Sequence, residues 1–204
     1  MSASGLARVW LGTPLVLVMA MQGGGVQTQE IQPVNSGANP YRVMRDWAGP
    51  LEGRPWGGSN GVAIDRDGRS VWAVDRCSPG TTPGCLGTDA HPVHKFDESG
   101  KRLLSFGGGM FVWPHGLHVD REGNVWVADS RAPSAEDLAK FPGETPKGSV
   151  VVKFSPEGKV LMTLGRPGVA GNPPEALTEP TDILTDANGD IYVAESHTNV
   201  EAPN

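Results

Sequence analysis

From Asn60 onward, apolar and polar residues alternate in short runs, and the runs come in pairs. The stretches "NGVAIDRDGRSVWAVD" (60–75), "HGLHVDREGNVWVAD" (115–129) and "TDILTDANGDIYVAE" (181–195) repeat one scheme. Each has an apolar run closed by Asp, a turn with Gly, and a second apolar run closed by an acid. A period of two over a handful of residues marks a half-buried strand. The turn tripeptides "RDG", "REG" and "ANG" put Gly68, Gly123 and Gly189 where a tight hairpin needs positive φ. Each copy therefore reads as a β-hairpin. A second scheme follows the first two copies: "VHKFDESGKRLLSFG" (93–107) aligns without a gap with "VVKFSPEGKVLMTLG" (151–165). It is again strand, turn, strand.

Two hairpins in tandem make four short antiparallel strands, and the unit recurs every roughly fifty to seventy residues, as β-propeller blades do. The pattern predicts an all-β, incomplete propeller over residues 53–204, with blade one at 62–106, blade two at 117–164 and the start of blade three at 182–195. Residues 28–52 form an N-terminal segment in which "YRVMRDWAG" (41–49) reads as an outermost strand of the ring-closing kind. Closed propellers usually have four or more blades. About two and a half are legible here, so the expectation is a fragment of a longer protein, or else a homo-oligomer that closes the ring. Expressed alone, such a chain should expose blade faces and strand edges and be unstable.

The N-terminus follows another pattern. Arg8 precedes the apolar run "VWLGTPLVLVMAM" and then small residues up to Gly25. That order is a secretory signal peptide over about residues 1–27, with the mature chain starting between Met21 and Glu30. An uncleaved anchor is the alternative, although the run is short for a membrane span. The expected location is secreted or periplasmic, with no membrane association beyond the signal.

Composition narrows the function. Gly (28) and Pro (18) exceed a fifth of the 204 residues, which suits a turn-rich β protein. With 20% charged residues and a net charge of −6, no nucleic-acid footprint is present. Cys77 and Cys85 share one loop, "RCSPGTTPGC". They are either a local disulfide in an oxidising compartment or two unpaired thiols, since the spacing matches no metal motif.

The repeat resembles the NHL type and, more closely, the lyase domain of peptidylglycine α-amidating enzymes, a six-bladed NHL propeller. The resemblance runs from about Gly53 to Asn199 on "SNGVAIDRDG", "WPHGLHVDREGNVWVAD" and "LGRPGVAGN…LTEPTDILTDANGDIYVAESHTN". It implies cleavage of a peptide's C-terminal α-hydroxyglycine into a peptide amide and glyoxylate. It also implies zinc held by three histidines from different blades and a calcium ion on the axis. Of those zinc ligands, His115 has a counterpart here; the other two belong to later blades. Val62 and Leu117 match the calcium-binding backbone carbonyls, and Arg76 matches the substrate-binding arginine. His197 stands in "AESHTN" where the family has its catalytic tyrosine. It is expected to serve as a substitute base, as a metal ligand, or as the mark of different chemistry.

Each residue also has a plainer reading. His115 is either a zinc ligand at the start of an inner strand or a turn residue bonded to the backbone. His118, three residues on, should face the opposite side and share no ion with it. His91 and His94 read as structural or surface residues. Arg76 is either a solvated cation or a bidentate carboxylate clamp. Asp65, Asp120 and Asp186 cap their turns; Asp75, Asp129 and Glu195 are repeat residues; Trp72, Trp126 and Tyr192 fill one core position. The leading expectation is an exported zinc- and calcium-dependent lyase-like protein acting on peptides or small carbinolamides. Its rivals are a gluconolactonase-type calcium-dependent hydrolase and an NHL binding module that offers its loops to a protein partner.

Overall fold

The computed structural model describes residues 37–51, 53–78 and 84–195. The chain separates into two units, Met1–Arg42 and Val43–Asn204. In the first, Asn39 Oδ1 accepts a bond from the Tyr41 amide at 2.9 Å; the signal peptide expected there lies outside the described residues.

The second unit is an incomplete propeller. Its strands are β1 (Gly61–Ile64), β2 (Val71–Val74), β3 (Val93–Phe96), β4 (Arg102–Phe106), β5 (Pro114–Val119), β6 (Val125–Asp129), β7 (Val150–Phe154), β8 (Val160–Leu164), β9 (Pro180–Thr185) and β10 (Ile191–Glu195). Two four-stranded antiparallel meanders, β1–β4 and β5–β8, are followed by the β9–β10 hairpin. Blade one, blade two and the beginning of a third are thus present as expected.

Repeat residues build each hairpin in the same way. Asp65 accepts the Asp67 amide at 3.0 Å and Trp72 Nε1 at 2.6 Å, and Lys95 Nζ lies 2.8 Å from it. Asp120 accepts the Asn124 amide at 2.8 Å and Trp126 Nε1 at 3.0 Å, with Lys153 Nζ at 3.2 Å. Each lysine also lies over its tryptophan ring, at 5.3 and 4.8 Å. Asp186 caps its turn through Asn188 and Asp190, but Tyr192 has no indole N–H to offer it.

Trp72 and Trp126 are buried between sheets. Trp72 joins Val74, Phe106, Leu117, Val127 and Phe154 in the core of blades one and two; Trp126 packs with Val151, Leu177 and Ile183 against the third hairpin. Tyr192, at the same repeat position, is 55% exposed instead, because no further sheet covers β10 among the described residues.

The inner strands β1, β5 and β9 pack side by side, and glycine makes this possible. A Cβ on Gly61 would lie 2.8 Å from the Leu117 backbone N, and one on Gly116 would lie 2.5 Å from the Thr181 carbonyl oxygen.

Two features depart from the sequence pattern. No strand forms over residues 43–49; residues 45–48 are a turn. Trp47 and Trp56 instead cover the outward face of blade one, with ring centroids 5.8 and 5.7 Å from Phe96. Aromatic packing here replaces the expected strand pairing. The β6–β7 connection holds a short helix, α1 (Ala135–Lys140), capped by Ser134 and Asp137 in a reciprocal pair.

Candidate functional site

The site lies where the inner strands begin. An open cleft of about 400 Å³ there is lined by Asn60, Gly61, Val62, His115, Gly116, Leu117, Thr181 and Asp182. A larger cleft, about 590 Å³, lies near Gly87 and Phe141. Its Glu144 and Lys147 already pair with each other at 2.5 Å, so it offers a ligand less.

His115 is positioned by a bulge. Pro114 pairs with Asp129 and Leu117 with Val127, so β5 spends three residues where β6 spends two. The bulge turns the imidazole so that its Nδ1 meets the Thr181 carbonyl at 2.9 Å. A carbonyl only accepts, so Nδ1 carries a proton and Nε2 is directed elsewhere. That is how proteins commonly orient a metal-binding histidine.

The bulge also corrects the expected placement of His118. His118 Nε2 bonds Thr185 Oγ1 at 2.9 Å, so both histidines reach β9 rather than opposite sides. They meet it four residues apart, about 13 Å along the strand. The separation is along the strand, not across it. Burial holds the His118 pKa below its ordinary value, against the pull of Asp120 and Asp182.

Arg76 is 8% exposed, and burial lowers its pKa, though a guanidinium stays charged. Its guanidinium lies 3.8 Å above the Trp113 ring, and Nε donates to the Pro114 carbonyl at 3.3 Å. The neighbouring backbone is fastened on both sides. Asp75, fully buried, accepts from the Cys77 amide at 3.0 Å, the Gly57 amide at 2.5 Å and Arg54 Nη2 at 2.6 Å.

Cys77 and Cys85 form a disulfide, which resolves the open alternative. Cys85 donates its amide to the Val112 carbonyl at 2.9 Å, tying this loop to the segment ahead of β5. Asp129 accepts the amides of Val112 and Trp113 at 2.7 and 2.5 Å from the other side.

Asn60 joins the two candidate residues. An amide nitrogen 3.2 Å from His115 Nε2 would also face the guanidinium, donor against donor. With the oxygen turned inward, it accepts from Arg76 Nη2 at 2.5 Å while the nitrogen donates to the Ser59 carbonyl at 3.2 Å; His115 Nε2, 3.2 Å away, donates to it only when both ring nitrogens are protonated. That orientation suits Arg76 and Ser59.

The donor set partly fits the metals implied by the resemblance. His115 is anchored as a zinc ligand would be, and Val62 and Leu117 both line the cleft with Asp182, a hard oxygen donor. Among the described residues no group of three or more His, Cys, Asp or Glu side chains could hold a metal. His197 lies outside the described residues. His91 accepts from the Gly108 amide at 3.0 Å, and His94 is fully buried beside Trp56, so both are structural. Asn60, Trp113 and Asp182 were not singled out from the sequence, although all three sit inside the motif stretches.

This chain resembles amidating lyases. It is 32% identical over 99 residues to a probable peptidyl-alpha-hydroxyglycine alpha-amidating lyase of Caenorhabditis elegans, covering 48% of this chain and 24% of that protein. It is 30% identical over 181 residues to peptidyl-alpha-hydroxyglycine alpha-amidating lyase 2 of Drosophila melanogaster, covering 82% and 40%. Lyase 1 of the same fly is 34% identical over 101 residues, covering 50% and 16%. The chain thus spans between 16% and 40% of these relatives' length. No protein-family model matches it.

Proposed function

We propose that this chain is part of an exported lyase that cleaves peptidyl α-hydroxyglycine, or a related carbinolamide, into an amide and glyoxylate. The observation that carries the reading is the convergence of Arg76 from blade one and His115 from blade two on either side of Asn60. A carboxylate-binding cation and an imidazole with a fixed tautomer are what a short hydroxy acid requires. Arg76 binds the substrate carboxylate through its donor edge while Trp113 stacks on one face of the guanidinium and holds its orientation. Zinc bound at His115 would supply polarisation of the substrate hydroxyl. The hydroxyl proton leaves, its oxygen forms the carbonyl of glyoxylate, and the C–N bond breaks. The amide nitrogen then takes up a proton. Calcium, held in part by the Val62 and Leu117 carbonyls, would brace the inner strands. His197 is the proposed base in place of the family's tyrosine. Export is supported by the basic and apolar N-terminus; among the described residues no helix is long and apolar enough to cross a membrane.

The test compares His115→Ala with His118→Ala in the full-length protein, dialysed against limiting zinc and then given an N-acyl-α-hydroxyglycine. Wild type should hold about one zinc per chain and release glyoxylate. His115→Ala should lose most of both, since a coordinate bond is gone, and His118→Ala should keep both. Equal zinc in the two variants would reduce His115 to a turn residue and overturn the reading.

A further inference from the structure

One side chain of the cleft has no part in the chemistry above. Asn60 is exposed, yet its amide oxygen occupies Arg76 Nη2 at 2.5 Å and touches His115 Nε2 at 3.2 Å. The other approaches to the guanidinium are restricted. Trp113 covers one face, and Nε is committed to the Pro114 carbonyl. A ligand that uses the Nη2 edge therefore meets Asn60 first.

We propose that Asn60 is an internal competitor, a stand-in whose amide oxygen occupies the anion position of Arg76 and sets a threshold that a carboxylate overcomes and a neutral terminus does not. The proposal rests on the carboxylate-binding reading of Arg76. A neutral ligand terminus, such as an amide, replaces the Asn60 oxygen with an equivalent acceptor and gains nothing. A carboxylate replaces it with an ionised acceptor, adding charge–charge attraction that the neutral Asn60 oxygen cannot offer the guanidinium. The exposed Asn60 then swings into solvent. Exchange thus favours acids over amides at the same position, and an amide product finds no foothold there.

The experiment measures binding of hippurate and of its neutral amide to the full chain by calorimetry, for wild type, Asn60→Ala, Asn60→Asp and Arg76→Ala. Thermal melting checks that each is folded. Hippurate should bind wild type and not Arg76→Ala. Asn60→Ala should bind hippurate about threefold to tenfold more tightly, because no internal bond has to break. It should bind the amide more tightly by the same factor, because the internal bond no longer competes with either ligand. Asn60→Asp should bind hippurate at least about tenfold more weakly, since its own carboxylate pairs with the guanidinium. Folded variants that both bind hippurate like wild type, or both more weakly, would overturn the proposal while Arg76-dependent binding kept the carboxylate reading. Hippurate binding that survives in Arg76→Ala, or is absent from wild type, would overturn both.

Discussion

Asp65, Asp120 and Asp186 occupy one repeat position in three environments, so the same substitution should have three different costs. Asp120 is 5% exposed and its pKa is lowered to about 2. Burial works against ionisation there, but Trp126, Asn124 and Lys153 outweigh it. A shift from 3.8 to about 2 corresponds to roughly 2 kcal/mol of preference for the charged form in the folded state. Asparagine keeps one acceptor for the turn but loses the charge that Lys153 faces, so Asp120→Asn should lose about 2–3 kcal/mol. Asp65 has the same tryptophan and lysine partners, is less buried, and has its pKa lowered against a burial penalty by Lys95, Asp67 and Trp72. Its loss should be about 1–2 kcal/mol. Asp186 has only its turn amides and Asn188, so Asp186→Asn should cost the least of the three. Urea titrations of the three variants at pH 7 would read the series. The sign with pH also follows: a depressed carboxylate pKa stabilises above about pH 4, and this contribution disappears as pH falls through about 2. Asp120→Asn should therefore flatten the acid limb most. Equal losses at all three positions would refute the argument and leave turn capping as the carboxylate's whole role.

Two other outcomes are expected. Gly116→Ala should cost about 1–3 kcal/mol and disturb the cleft, because its Cβ would lie 2.5 Å from the Thr181 carbonyl oxygen and 2.6 Å from Asp182 Cα; a melting temperature equal to wild type would contradict the close approach of β5 and β9. Asp129 is fully buried, and burial raises its pKa to about 7 despite the Val112 and Trp113 amides. Stability should thus fall as pH rises from about 4 to 7, by up to about 4 kcal/mol, and Asp129→Asn should remove that slope in pH-dependent urea titrations.

The sequence by itself determined the hairpins, their turns and their grouping into fours, because each depends on contacts between near neighbours. Alternation assigns a strand's faces, a glycine at the turn permits positive φ, and an ungapped repeat links one blade to the next. The family resemblance, Arg76 and His115 were legible for the same reason, since they belong to short motifs. The short helix carried a signal too, the Ser134 to Asp137 capping pair, which strand repeats obscured. Tertiary structure alone decided the rest. The bulge between Pro114 and Leu117 broke the alternation that separated His115 from His118; the hairpin with β6 was legible, but the shift in its register was not. The expected strand over 41–49 does not form, and Trp47 packs instead against Phe96 beside Trp56. Asn60 became a site residue only when blades one and two met, since Arg76 and His115 lie 16 and 55 positions away along the chain. Contacts at that range depend on how sheets pack, and no local pattern encodes them.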